Sequence, residues 1–265
     1  MGILNVTPDS FSDGGQFSDT ASAVAHAEAM VEAGADWIDI GGESTRPGSQ
    51  RVAADEQLAR VLPVLREVRA RVASVLSIDT TLAAVAEAAI DAGADVVNDI
   101  SAGRDDPGML PLISRRKVPA ILMHMQGQPA TMNVAPSYGD VVAEVRAFLA
   151  ERLQSAVAAG IDQNALLIDP GFGFGKTVGQ DLELLRRLGE LADLGRPIVV
   201  GTSRKRFIAR ATGDSTKQRL FGTAASVAWA LANGAGVVRV HDVGPMSQVA
   251  HLIRAIQTGA SAFFA

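Results

Sequence analysis

Three polar residues in this 265-residue chain, Asp79, Asn98 and Asp169, each end or directly follow a short apolar run. A buried strand that finishes on such a side chain opens into a cavity rather than into the core. Two carboxylates and an amide, brought together, offer the donors and acceptors needed by a heterocycle with amino and ring N–H groups, such as a pterin or a purine. Each also has a plainer use. Asp79 precedes Thr80, Thr81 and a helix start, so it suits an N-cap, and Asn98 with Asp99 suits a loop.

A second group is cationic. In Arg239-Val240-His241 the alternation of a strand turns both polar side chains the same way. Arg and His together suit a phosphate or pyrophosphate; pairing with Asp242 is the alternative. Ser203-Arg204-Lys205-Arg206 follows another apolar run and opens a helical stretch, where it makes either an anion site or a solvated surface. Asn5 ends the first apolar run and offers an amide oxygen to Mg2+. Two polar loops, TPDSFSDGG at 7–15 and GGESTRPG at 41–48, add further groups. The first is long enough to close as a lid, the second carries Arg46 stiffened by Pro47, and both would otherwise be ordinary surface loops.

The segment LLIDPGFGFGK, residues 166–176, reads as a buried strand ending on Asp169 and leaving through a glycine-rich loop. It lacks the glycine spacing of a phosphate-cradling P-loop and of a dinucleotide fingerprint. Its glycines are expected to admit a ligand where a Cβ would collide, and Phe172 or Phe174 to wall a flat aromatic one.

The elements that must position these groups are legible in a repeated phrase. Glu32-Ala33-Gly34-Ala35-Asp36, Asp91-Ala92-Gly93-Ala94-Asp95, Ala158-Ala159-Gly160-Ile161-Asp162 and Ala232-Asn233-Gly234-Ala235-Gly236 each end a helix and lead into an apolar strand. Strands are expected at 2–6, 37–40, 75–79, 96–100, 120–124, 166–169, 198–201 and 237–241. Alanine-rich amphipathic stretches separate them, at about 20–33, 55–70, 82–92, 108–116, 139–159, 180–191, 221–233 and 246–257. Eight strand–helix units of about 33 residues match a (β/α)8 TIM barrel in one domain, 1–265, with long loops after strands 1 and 2. A doubly wound open sheet is the other arrangement this periodicity allows. In a barrel the strand-end polar residues Asn5, Asp39, Asp79, Asn98, His124, Asp169, Ser203, Arg239 and His241 would converge on one face.

Composition narrows the function. A formal charge of −5 gives no global attraction to nucleic acid or an anionic membrane. The absence of cysteine excludes disulfides and thiolate metal sites and suits a reducing cytoplasm. No signal peptide or apolar run long enough to span a membrane is visible. The first five residues read as a strand already under way, so native residues are expected to precede them.

Taken in order, residues 3–15, 41–48, 77–80 (SIDT), 98–100, 169–176 (DPGFGFGK), 203–205 (SRK) and 239–242 closely resemble the dihydropteroate synthases. The motifs keep the family's order over nearly the whole chain. The resemblance implies a TIM barrel that condenses 6-hydroxymethyl-7,8-dihydropterin pyrophosphate with 4-aminobenzoate, releasing pyrophosphate. By motif, Asp79, Asn98, Asp169 and Lys205 would hold the pterin. Asn5, Thr45, Arg239 and His241 would handle the pyrophosphate, Asn5 also binding Mg2+. Asp13 would help close the site, and Phe11, Arg46, Pro47, Phe174 and Lys205 would frame the aminobenzoate. The family's chemistry, pyrophosphate loss followed by amine attack on a cationic methylene, needs no protein nucleophile.

The resemblance also implies a cytoplasmic homodimer built through the last helices, and sulfonamide binding. One departure stands out, because Arg206 takes the place after SRK where many members carry a serine that holds the aminobenzoate carboxylate. Ala209-Arg210 likewise replaces a glycine common just afterwards. The alternatives are a methyltetrahydrofolate-binding methyltransferase domain, which needs no pyrophosphate site, and a non-catalytic pterin-binding barrel.

Overall fold

The computed structural model describes residues 1–7, 15–44, 48–128, 131, 132, 134, 136–214, 216 and 219–259. Phe11, Asp13, Thr45, Arg46 and Pro47, five of the expected site residues, lie outside them.

Eight strands pair in parallel in the order of the chain: β1 (Gly2–Asn5), β2 (Trp37–Gly41), β3 (Val75–Asp79), β4 (Val96–Asp99), β5 (Ala120–Met123), β6 (Leu166–Asp169), β7 (Ile198–Val200) and β8 (Ala235–Val238). The ring closes where Gly2 bridges Val240 in parallel and the Ile3 N–H donates to the Val240 carbonyl at 3.0 Å. That closure excludes the doubly wound open sheet. The helices between them are α1 (Gly15–Glu32), α2 (Ala54–Arg71), α3 (Ala83–Asp91), α4 (Met109–Arg116), α5 (Val141–Ala158), α6 (Val178–Arg186), α7 (Arg206–Thr212), α8 (Leu220–Ala232) and α9 (Val243–Thr258).

The repeated phrase does what its composition dictates. Gly34, Gly93, Gly160 and Gly234 take φ of 97°, 109°, 93° and 97°, left-handed values that glycine reaches without a Cβ penalty, so each helix stops and turns into a strand. Two helix starts are set by side chains: Asp140 accepts from the Val142 and Ala143 N–H groups, and Thr177 with Gln180 forms a reciprocal capping box. Some boundaries differ from expectation. Helix α1 begins at Gly15 rather than about residue 20, and α7 is an additional short helix after β7. The last strand also ends early, although the Arg239 N–H still donates to the Val200 carbonyl at 2.9 Å, which continues the ladder.

Strand alternation sorts the interior into levels. Met1, Trp37, Val75, Val96, Ile121, Leu167, Val199 and Val237 pack into one apolar plug. Two residues further along each strand come Ile3, Asp39, Ser77, Asn98, Met123, Asp169, Gly201 and Arg239. Two further again come Asn5, Gly41, Asp79, Ile100, Met125, Gly171, Ser203 and His241. The barrel therefore turns from apolar to charged within two steps of the pleat.

Candidate active site

Arg239 organises one side of the barrel mouth. Its Nε donates to Oδ2 of Asp39 at 2.6 Å and its Nη2 to Oδ2 of Asp79 at 2.8 Å. Asn98 Nδ2 donates to the same Asp39 oxygen at 3.1 Å. Asp39, Asp79 and Asn98 are all buried, and Oδ1 of Asp39 has no protein partner among the described residues. Burial pushes the Asp79 carboxyl up, and Asp39 adds to the shift while Arg239 opposes it. Burial also works against the Arg239 charge, but Asp39, Asp79 and Asp169 more than offset it and hold the guanidinium above its ordinary value.

These contacts decide between the sequence alternatives. Asp79 does not cap α3; the Ala83 N–H is taken by Asp106 at 2.8 Å instead. Asp99 is the loop former, accepting from the Ser101 N–H and hydroxyl, each at 2.7 Å, and from the Gly103 N–H at 2.6 Å. Asn98, one residue earlier, faces the mouth. Asp242 is bound by Arg204 at 3.0 and 2.5 Å, which leaves Arg239 and His241 to the interior. His241 Nδ1 lies 3.0 Å from the Ser203 hydroxyl. Burial, with Arg204 and Arg239, lowers the imidazole to about 4, so the ring is neutral.

The 166–176 segment builds the opposite side, and two of its glycines answer to neighbouring backbone. Gly171, Gly173 and Gly175 have φ of 68°, 76° and 64°. A Cβ on Gly171 would stand 1.9 Å from the His124 carbonyl oxygen, and one on Gly175 would stand 2.3 Å from that of Gln126. Gly171 and Gly175 are required by the neighbouring β5 loop, whereas a Cβ on Gly173 would face the Lys205 side chain, 3.2 Å from its Cδ. Asp169 is buried and accepts the Gly171 N–H at 2.7 Å, while Asp181 accepts that of Gly173 at 2.7 Å. Phe172 packs into the outer core against Phe207, so Phe174 alone remains as the wall. The Lys205 ammonium sits over the Phe174 ring, 4.2 Å from its centroid. Burial lowers Lys205 to about 8, leaving it charged at neutral pH.

Lys176 is the residue that sequence reasoning missed. Only 1% exposed, its Nζ contacts the Gly171 carbonyl at 2.8 Å, the Phe174 carbonyl at 3.2 Å and His124 Nδ1 at 3.0 Å. It ties the glycine loop to itself and to β5. Burial lowers it to about 7, a shift opposed by Asp181 and Asp169. A lysine following three glycines and two phenylalanines was the available signal. Asp39 had been visible only as one more strand-end acid.

The cationic run disperses. Arg204 turns to Asp242, Lys205 faces Phe174, and Arg206 is exposed at the start of α7. Asn5 stands half-buried at the end of β1, in register with Gly41. Among the described residues no group of three His, Asp or Glu could hold a metal by itself. A single hard amide oxygen does suit a Mg2+ ion carried largely by phosphate oxygens and water.

A cluster of carboxyl groups, an amide and fixed cations at the strand C-termini of a closed (β/α)8 barrel is the arrangement of a small-molecule enzyme site. Residues 1–241 match the family described as pterin binding enzyme, and the chain belongs to that family. Within it, the similar proteins are dihydropteroate synthases. That of Synechocystis is 46% identical over 257 residues, covering 97% of this chain and 89% of the relative. That of Escherichia coli K12 is 43% identical over 255 residues, covering 96% and 90%. The Xanthomonas albilineans enzyme solved with 4-aminobenzoic acid superposes with a TM-score of 0.92 at 47% identity, covering 98% of this chain and 93% of that one. Its complex with 7,8-dihydropteroate gives a TM-score of 0.88 at 44% identity, with the same coverage.

Proposed function

We infer that this chain works as a dihydropteroate synthase, joining 6-hydroxymethyl-7,8-dihydropterin pyrophosphate to 4-aminobenzoate and releasing pyrophosphate. The observation that carries the reading is the buried set of Asp39, Asp79, Asn98 and Arg239 facing Asp169 and Lys205 across the mouth of a barrel of this family. Asp79, Asn98, Asp169 and Lys205 hold the pterin ring, whose amino and N–H groups match the acids and the amide. Arg239 has Nε and Nη2 committed, which leaves Nη1 for a diphosphate oxygen. His241 and Thr45 join it there. Phe174 and Lys205, with Phe11, Arg46 and Pro47, frame the aminobenzoate.

The chemistry follows from charge. The bond from the pterin methylene to the diphosphate oxygen breaks with its electron pair going to the oxygen. Arg239 and His241 meet the charge that collects there. Asp169, joined by Asp13, opposes the cationic methylene. The aromatic amine then forms the C–N bond and gives up a proton to water. Mg2+ held at Asn5 would neutralise part of the diphosphate charge.

The test is pyrophosphate release from the pterin pyrophosphate with Mg2+, with and without 4-aminobenzoate. Release coupled to dihydropteroate formation supports the reading, whereas tight pterin binding without turnover under any Mg2+ condition would favour a non-catalytic barrel. In the same assay a sulfonamide is expected to compete with 4-aminobenzoate, as suits a chain 43% identical to a Yersinia pestis enzyme solved with a sulfonamide. Phe221 and Trp229 on α8, with Leu252 and Ile256 on α9, are exposed apolar side chains on adjacent helices and support a homodimer. Sedimentation of Phe221→Glu as a monomer beside a dimeric parent would bear this out; two monomers would refute it. We also place the protein in the cytoplasm, which its lack of cysteine suits, and no helix among the described residues is long and apolar enough to cross a membrane.

A further inference from the structure

Ser203 reaches the proposed chemistry through a single neighbour. Its hydroxyl oxygen accepts the backbone N–H of His241 at 3.1 Å and lies 3.0 Å from Nδ1 of the same residue. Ser203 is buried, so the hydroxyl proton needs an acceptor. If Nδ1 carried hydrogen, the oxygen would receive two N–H groups and its own proton would find no partner in this pair. With Nδ1 bare, the backbone N–H, the hydroxyl and the ring nitrogen are all satisfied.

The following residues hold this arrangement in place. Arg204, in a left-handed conformation at φ 59°, binds both oxygens of Asp242, the residue after His241. The Arg204 N–H donates to the Thr223 hydroxyl at 3.2 Å, and Arg219 Nη1 donates to the Arg204 carbonyl at 2.6 Å. The loops after β7 and β8 are thus clamped beside each other, with the Ser203–His241 contact just inside. Because the imidazole is neutral, the position of its one N–H decides what it can offer a substrate oxygen.

We propose that Ser203 is a positioning residue that holds His241 as the Nε2–H tautomer, keeping that N–H, on the opposite ring edge, for the departing diphosphate. This rests on the role given to His241 above. In protein carrying 15N-labelled histidine, long-range ring spectra at neutral pH should show a protonated Nε2 and a bare Nδ1 for His241, assigned by their loss in His241→Gln. In Ser203→Ala both nitrogens should move toward exchange-averaged values. The kcat should fall about tenfold to a hundredfold, within what a correctly presented proton donor is worth, with KM for 4-aminobenzoate unchanged. Ser203→Thr keeps the hydroxyl and should restore spectrum and rate. It also covers the case in which the alanine variant fails to fold. Made in the His241→Gln background, Ser203→Ala should remove nothing further. An Nδ1–H ring in the parent protein, or losses that add in the double variant, would overturn the proposal alone. Full activity of His241→Gln would instead overturn the reading of His241, and the proposal with it.

Discussion

Of the cations in the mouth of this barrel, Arg239 and Lys176 are held in opposite ways. Arg239 is gripped by the carboxyl groups of Asp39 and Asp79, so its own charge is fixed, while burial still pushes Asp79 up to about 7 against the pull of the guanidinium. Among the described residues Lys176 touches no carboxylate; two carbonyls and an imidazole surround it, and burial brings it down to about 7. The β2–β3–β8 side is an ionic scaffold that presents charge to a ligand. The β5–β6 side is a backbone scaffold in which the lysine shapes a loop and Phe174 does the presenting. An arginine fork matches two acids at once and cannot be deprotonated, whereas a lysine can give up its proton inside a protein and still donate to carbonyls.

The comparison is tested hardest at Arg239. Arg239→Met should leave two buried carboxylates unpaired and cost about 3–5 kcal/mol of stability by urea denaturation, with turnover lost. A stable Arg239→Met would mean that the acids are hydrated and that the ionic scaffold does not exist. Lys176→Met should cost less, about 1–3 kcal/mol, since it strands neutral acceptors and removes a buried charge.

The two sides should also part in their pH dependence. Lys176 titrates near 7 when folded and near 10.5 when unfolded, so between those values the unfolded chain binds the extra proton. Stability from this group therefore rises with pH across that window, by on the order of 1 kcal/mol per pH unit at most. The parent should gain on Lys176→Met as pH rises from 7, and parallel curves would sink the assignment. Tyr138→Phe gives the smallest change. It deletes the 2.9 Å bond to the Gly175 carbonyl and should cost about 0.5–1.5 kcal/mol, with a modest rise in KM for 4-aminobenzoate.

Much of this was legible in the chain because it rests on local rules. Glycine at a helix end, an apolar run of strand length and a polar residue closing it gave eight units and the set of residues at the mouth. Local patterns also misled. Gly171 and Gly175 look as if they make room for a ligand, yet the atoms that demand them belong to His124 and Gln126, about fifty residues earlier. Asp79 has the spacing of a helix cap, but the cap comes from Asp106 on the next loop.

By itself, then, the sequence determined the period, the strand ends and the family, since helix stops and strand alternation depend on neighbours within a few residues. Only the closed barrel decided which strand-end side chains become partners. Asp39 and Arg239 are 200 positions apart, as Ser203 and His241 are 38 apart, and they meet because the ring returns β8 to β1 and sets β7 against β8. Burial in that closed space sets their charges, and no window of sequence contains it.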